Sequence, residues 1–163
     1  MEDNPLEQEV ARLLLFLRMT IAVAESCTGG LVCHRLTNIS GSSDYLERGV
    51  VTYSNRSKIE LLGVSSQVIR EHGAVSEACV RAMATGIKRL AGTDLGLAVS
   101  GIAGPTGGMP NKPVGTVHMS LASNQGVYCW KYLFRGSRAR VKERASEEAL
   151  IKIREYCQSI SHA

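Results

Sequence analysis

Three short apolar stretches in this sequence each break off into a small, polar or glycine-rich junction with a helix-like segment close behind. That recurrence constrains the fold more than any other feature. The first stretch, Thr20 to Glu25, alternates small residues with Ile21 and Val23 and runs into Ser26-Cys27-Thr28-Gly29-Gly30. The second, Gly49 to Tyr53, is rich in β-branched residues and opens onto Ser54, Asn55 and Lys58. The third, Asp94 to Ser100, ends in the loop from Gly101 to Gly108. Strands interleaved with helices fold as layered α/β proteins. Val114 to Ala122 and Val127 to Phe134 flank Asn124-Gln-Gly126 as an antiparallel hairpin, so the expected sheet is mixed.

The intervening segments read as helices. Leu6, Val10, Leu13, Leu14 and Leu17 form one apolar stripe at helical spacing in a helix from Leu6 to Met19. The spacing predicts another from Glu77 to Ala91, with Ser76 as N-cap, Val80, Met83, Ile87 and Leu90 on its apolar face, and Gly92 in its C-terminal turn. Asn55 is the expected N-cap of a helix ending at Gly63, and Ser65 or Ser66 that of one ending at Gly73. A last helix runs from Ser137 to Ile160. With 163 residues, no repeat and no linker-like tract, the expectation is an α/β protein of one layered domain, residues 1–163 with a core over 6–160, in which a mixed β-sheet is flanked by helices.

Composition excludes several classes. No apolar run approaches the ~20 residues that cross a bilayer, and the acidic start is unlike a secretory signal, so a soluble, cytoplasmic protein is expected. The five cysteines contain no CxxC pair and the four histidines do not pair at short spacing, so reduced thiols, no disulfide frame and no metal are expected. Net charge is +4, and residues 131–154 hold eight basic residues against three acidic ones. Aromatics are only 5%, too few for a stacking platform, so nucleic-acid binding is disfavoured and a small anionic ligand accounts for the local charge. A solvated helix face is the plainer explanation of the same charge.

Ligands of open α/β sheets bind at strand ends, and if the three strands run alike their junctions share one sheet edge. Glycines there admit backbone N–H groups to an anion, assisted by a following helix N-terminus. Neither glycine-rich junction fits a Walker A or a dinucleotide fingerprint, which leaves a mononucleotide phosphate as the better match. The glycines could equally serve only packing and turns. Lys58, in the first turn of its helix, faces an unfavourable dipole that would help leave it a neutral amine.

The segments AESCTGG (24–30), GSSDYLERGVVTYSNRSK (41–58), LGV (62–64), HGAVSE (72–77), SGIAGPTGG (100–108) and KPVGTV (112–117) together resemble the CinA C-terminal domain family over about Leu6 to Ile160. Standalone bacterial members of that family include nicotinamide-nucleotide amidohydrolases. The resemblance implies hydrolysis of the carboxamide of nicotinamide mononucleotide to nicotinate mononucleotide and ammonia, without metal or cofactor, by a serine with a lysine and a tyrosine nearby. The matching positions are Ser26, Ser43, Tyr53 and Lys58. Between the serines, Ser43 is the preferred nucleophile, because Ser26 beside Thr28 and a helix N-terminus suits an oxyanion-holding role. Thr28, Gly29 and Gly30, with Ser100, Gly101, Gly104, Gly107 and Gly108, would hold the nucleotide, and Arg138 its phosphate or carboxamide side.

Two departures from the family pattern stand out. Ser137 replaces the usual Asp before the arginine, which would leave Arg138 less fixed, and Lys142 stands where an arginine is common and cannot make a bidentate contact. A pyridine-nucleotide-binding module without catalysis is therefore the alternative. Larger relatives carry an additional N-terminal domain whose functions are not carried over to this chain. The resemblance also implies a homo-oligomer.

Overall fold

The computed structural model describes residues 5–163; the first four residues of the acidic start read above lie outside them. Six α-helices and five strands follow in the order α1 (Pro5–Leu17), β1 (Ile21–Glu25), α2 (Leu31–Thr37), β2 (Leu46–Val51), α3 (Asn55–Leu62), α4 (Ser66–His72), α5 (Glu77–Ala91), β3 (Leu95–Gly101), β4 (Thr116–Ala122), β5 (Val127–Leu133) and α6 (Arg138–Ser161). The strands make one sheet in the order β2-β1-β3-β4-β5. β1 pairs in parallel with both β2 and β3, whereas β3, β4 and β5 are antiparallel. The mixed α/β sheet flanked by helices is as expected.

Alternation along the central strands sorts the two faces. Ile21, Val23, Leu95, Leu97 and Val99 point into a core shared with α1, α2 and α6. Ala22, Ala24 and Ala98 point the other way, into a core shared with α3, α4 and α5. Small residues on that second face let α5 lie close. At Gly96 an added Cβ would run into the carbonyl of Ala84, so only glycine admits this approach. On the first face Glu7, only 4% exposed, accepts from Arg35 Nε at 2.6 Å, and Arg35 also pairs with Glu147 at 2.6 Å, tying α1, α2 and α6 together.

Several boundaries differ from the sequence reading. β2 begins at Leu46 rather than Gly49, because Glu47 and Arg48 lie on an exposed edge strand where polar residues carry no burial signal. Residues Ser42–Asp44 form a 3-10 turn. The N-cap of α3 is Ser54, whose hydroxyl accepts from Ser57 N, and not Asn55. Ser65, Ser76 and Ser137 cap α4, α5 and α6 as their sequence positions suggest.

Candidate active site

Because β1, β2 and β3 run in parallel, their carboxyl ends meet on one edge of the sheet, where a cavity of about 280 Å3 opens. Ser26 follows the last residue of β1 and is 8% exposed. Its amide donates to Val99 O at 2.9 Å, which fixes the turn against β3. Lys58, from α3, is buried with 1% exposure and reaches across to the same point. Its Nζ stands 3.0 Å from Ser26 Oγ, 2.6 Å from Thr52 O and 3.5 Å from Tyr53 O. No carboxylate pairs with it among the described residues. Burial accordingly depresses its pKa below the usual lysine value, since a desolvated ammonium is unfavourable.

The junction after β1 is built differently from the sequence reading. Glu25 is fully buried, and its carboxylate accepts from Gly30 N at 3.1 Å, Val32 N at 3.1 Å and Cys33 N at 2.9 Å. The amide of Gly29 donates to Ser26 O at 3.1 Å. Both glycine amides are therefore occupied, and the start of α2 carries its own anion. Gly29 and Gly30 serve the turn instead, with φ of 62° and 104°, angles that favour glycine. Glu25 was missed because a glutamate ending an apolar strand carries no distinguishing pattern. Among the described residues the amides of Cys27 and Thr28 donate to no backbone carbonyl, and Thr28 Oγ1 is buried without a partner.

Of the other expected groups, Tyr53, Gly101, Gly104, Gly107 and Arg138 line the cavity, together with Asn55, freed for this by Ser54 taking the cap. The Tyr53 hydroxyl accepts from Arg138 Nη2 at 2.8 Å rather than touching the lysine amine, and Arg138 Nη1 donates to Gly104 O at 2.9 Å. Arg138 is thus held at two points without an aspartate at position 137. Ser100 lies outside the lining; its buried hydroxyl donates to Ala74 O at 2.9 Å and ties β3 to the loop before α5. Gly108 also stands off the cavity, packed against Val114. Lys142 places its ammonium near Gly29, 3.6 Å from where a Cβ there would sit.

Ser43, the preferred nucleophile of the sequence reading, stands apart from Lys58. Ser43 is exposed in the turn that precedes β2, whereas Lys58 follows the far end of that strand. About 20 Å of strand separates the two positions. The sequence distance between Ser43 and Lys58 is shorter than that between Ser26 and Lys58, yet a parallel sheet brings the latter pair together. Cys27, in the cavity wall, is a neutral thiol whose pKa burial pushes up to about 12.

The fold and site define a three-layer α/β protein with a buried serine–lysine pair at the carboxyl edge of its parallel strands. The chain belongs to the CinA family: the CinA C-terminal domain model matches residues 3–157. It is 56% identical over 156 residues to a CinA-like protein of Syntrophus aciditrophicus, covering 95% of this chain and 37% of that protein. A CinA-like protein of Geobacter sulfurreducens is 48% identical over 148 residues, 91% of this chain and 36% of the relative. The chain thus spans little more than a third of the length of these relatives. Among solved structures, a CinA superfamily protein from Klebsiella pneumoniae superposes with a TM-score of 0.92 at 35% identity, covering 95% of this chain and 97% of the other. The competence/damage inducible protein CihA from Agrobacterium tumefaciens gives 0.83 at 32% identity, covering 99% and 97%.

Proposed function

We propose that this chain is a nicotinamide-nucleotide amidohydrolase in which Ser26 is the nucleophile and Lys58 its base. The observation that carries the reading is the buried 3.0 Å contact between Lys58 Nζ and Ser26 Oγ. A neutral amine has two hydrogens and one lone pair. Thr52 O and Tyr53 O accept the hydrogens, which leaves the lone pair facing the serine hydroxyl.

In the proposed reaction Ser26 Oγ attacks the carboxamide carbon while Lys58 takes the hydroxyl proton. The amides of Cys27 and Thr28, beside the nucleophile, receive the negative charge that develops on the carbonyl oxygen. Lys58 then returns the proton to the departing nitrogen, which leaves as ammonia, and water hydrolyses the ester on Ser26 by the same route. Arg138 retains three of its five N–H groups for the substrate phosphate, with Asn55 and the loop from Gly101 to Gly107 around the nucleotide. Tyr53 acts by holding that arginine.

The test is ammonia release from nicotinamide mononucleotide, with chelator present. The wild-type chain turns over, Ser26→Ala and Lys58→Ala lose about 10²–10⁴-fold in kcat with unchanged folding, and Ser43→Ala stays within a few-fold. Full turnover by Lys58→Ala removes the mechanism. A silent wild-type protein whose melting temperature rises with the mononucleotide is a binding module instead.

A further inference from the structure

A second cavity, of about 390 Å3, lies on the other side of the segment that walls the first. Ala74 and Val75 face the serine–lysine cavity, whereas His72, Ser76 and Glu77 face this one. The glycine-rich loop is shared in the same way: Gly101 to Gly107 line the first cavity, and Asn111 and Lys112 the second. Its floor is His118 on β4, which pairs directly with Lys131 on β5, so both side chains project from one face of the sheet.

His118 is 9% exposed and its ring lines the cavity. Its ring nitrogens are not sealed from solvent, so they are open to a ligand that enters the cavity. The two ammonium groups beside it are uncommitted to anions. Lys131 has no ion pair among the described residues, and Lys112 donates only to the carbonyl of His72, lying against Gly73. The two carboxylates of the rim have partners: Glu77 pairs with Arg81 at 3.1 Å, and Glu71 accepts from Gln67 at 2.8 Å and lies 3.9 Å from His72 Nε2 on the same rim.

We propose that this cavity is a phosphate-binding site separate from the catalytic one, with Lys112 and Lys131 supplying charge and His118 a hydrogen bond. The titratable groups that share the cavity with His118 are Lys131 from β5, Lys112 from the loop, Glu77 from α5, and Glu71 and His72 from α4. Burial, then the two lysines, hold its pKa below the usual histidine value, and Glu77 opposes them more weakly. A bound dianion reverses the balance, so the imidazole takes up a proton as the phosphate arrives. The dianion itself therefore binds more tightly as pH falls toward the free protein's His118 midpoint, while protonation of phosphate to the monoanion opposes this for total phosphate.

The test is an NMR pH titration of the four histidine ring signals at constant ionic strength, with inorganic phosphate replacing chloride. His118→Gln assigns the signal. Phosphate is expected to raise the His118 midpoint by about one pH unit, equivalent to roughly a tenfold change in affinity across that interval. His34 and His162 stay put. Lys131→Gln, on an exposed strand position away from the catalytic cavity, abolishes the displacement and leaves ammonia release at saturating substrate unchanged. Ribose 5-phosphate and a nucleoside 5′-monophosphate distinguish a free phosphate site from one that reads an ester, by which ligand displaces the midpoint at lowest concentration. A His118 midpoint that ignores all three ligands, or one that moves in step with His34 and His162, overturns the proposal. The readout does not use turnover, so failure of the amidohydrolase reading leaves it intact.

Discussion

Lys58 is almost wholly removed from water, with two carbonyls and one hydroxyl as its partners, and this environment has consequences for both activity and stability. As a base it works only when neutral, so kcat/KM for the mononucleotide should fall with decreasing pH along a limb centred below 10.5, the ordinary lysine value. Lys58→Arg should be inactive at every pH, because arginine does not deprotonate in proteins. For stability the sign runs the other way from a salt-bridged lysine. Between the depressed folded pKa and 10.5 the unfolded chain binds more protons, so stability rises with pH across that interval. Lys58→Met removes this dependence. The melting temperature of the variant relative to wild type should therefore decline as pH is raised toward 10.5, and parallel thermal melts at several pH values measure it.

At the scale of elements, the site depends on how α2 and α3 are seated. Glu25 supplies the anion at the start of α2 from within the preceding strand, through three amides at 2.9–3.1 Å. Glu25→Ala leaves those donors buried and unpaired and should cost about 3 kcal/mol in urea unfolding. Its effect on turnover should exceed the fraction of protein unfolded, because Ser26 sits on the turn the carboxylate holds. α3 is positioned by α5 through Gly86, where an added Cβ would run into the carbonyl of Leu62. Gly86→Ala should destabilise by about 1–3 kcal/mol, and by moving α3 it should lengthen the Lys58–Ser26 contact and lower kcat with little change in KM. Ser26 and Lys58 were both visible in the sequence as candidates. Their pairing was not, since it depends on which strand ends face each other.

For the whole molecule, two apolar cores lie on opposite faces of one sheet, and the strands between them contribute to both by alternation. Neither layer can lose its helices without exposing the sheet, so the 163-residue chain should unfold in a single transition. Calorimetric and van't Hoff enthalpies that agree would establish this, and two resolved transitions would mean that the layers melt independently. The sheet order also explains why residues far apart in sequence share the cavity. β1, β2 and β3 each release their following segment at the same edge, and α6 returns Arg138 to that edge after the hairpin. Among the described residues no helix is long and apolar enough to cross a membrane, and no group of His, Cys, Asp and Glu is arranged to hold a metal ion.

Much of this was local chemistry, and the sequence by itself determined it. Apolar periodicity marked the principal helices, serines marked the caps of α4, α5 and α6, and the alternation of small with large residues marked the buried strands. The family was legible from six short segments in series. What the tertiary structure alone decided were the relations between segments. It set Ser26 rather than Ser43 against Lys58, and it gave the start of α2 to Glu25 rather than to a ligand. It also brought His118 on β4 into one cavity with Lys112 and Lys131. Each outcome depends on strand direction and neighbour order, and these follow from packing the whole sheet between its helices. No window of residues short enough to read as a pattern contains that information.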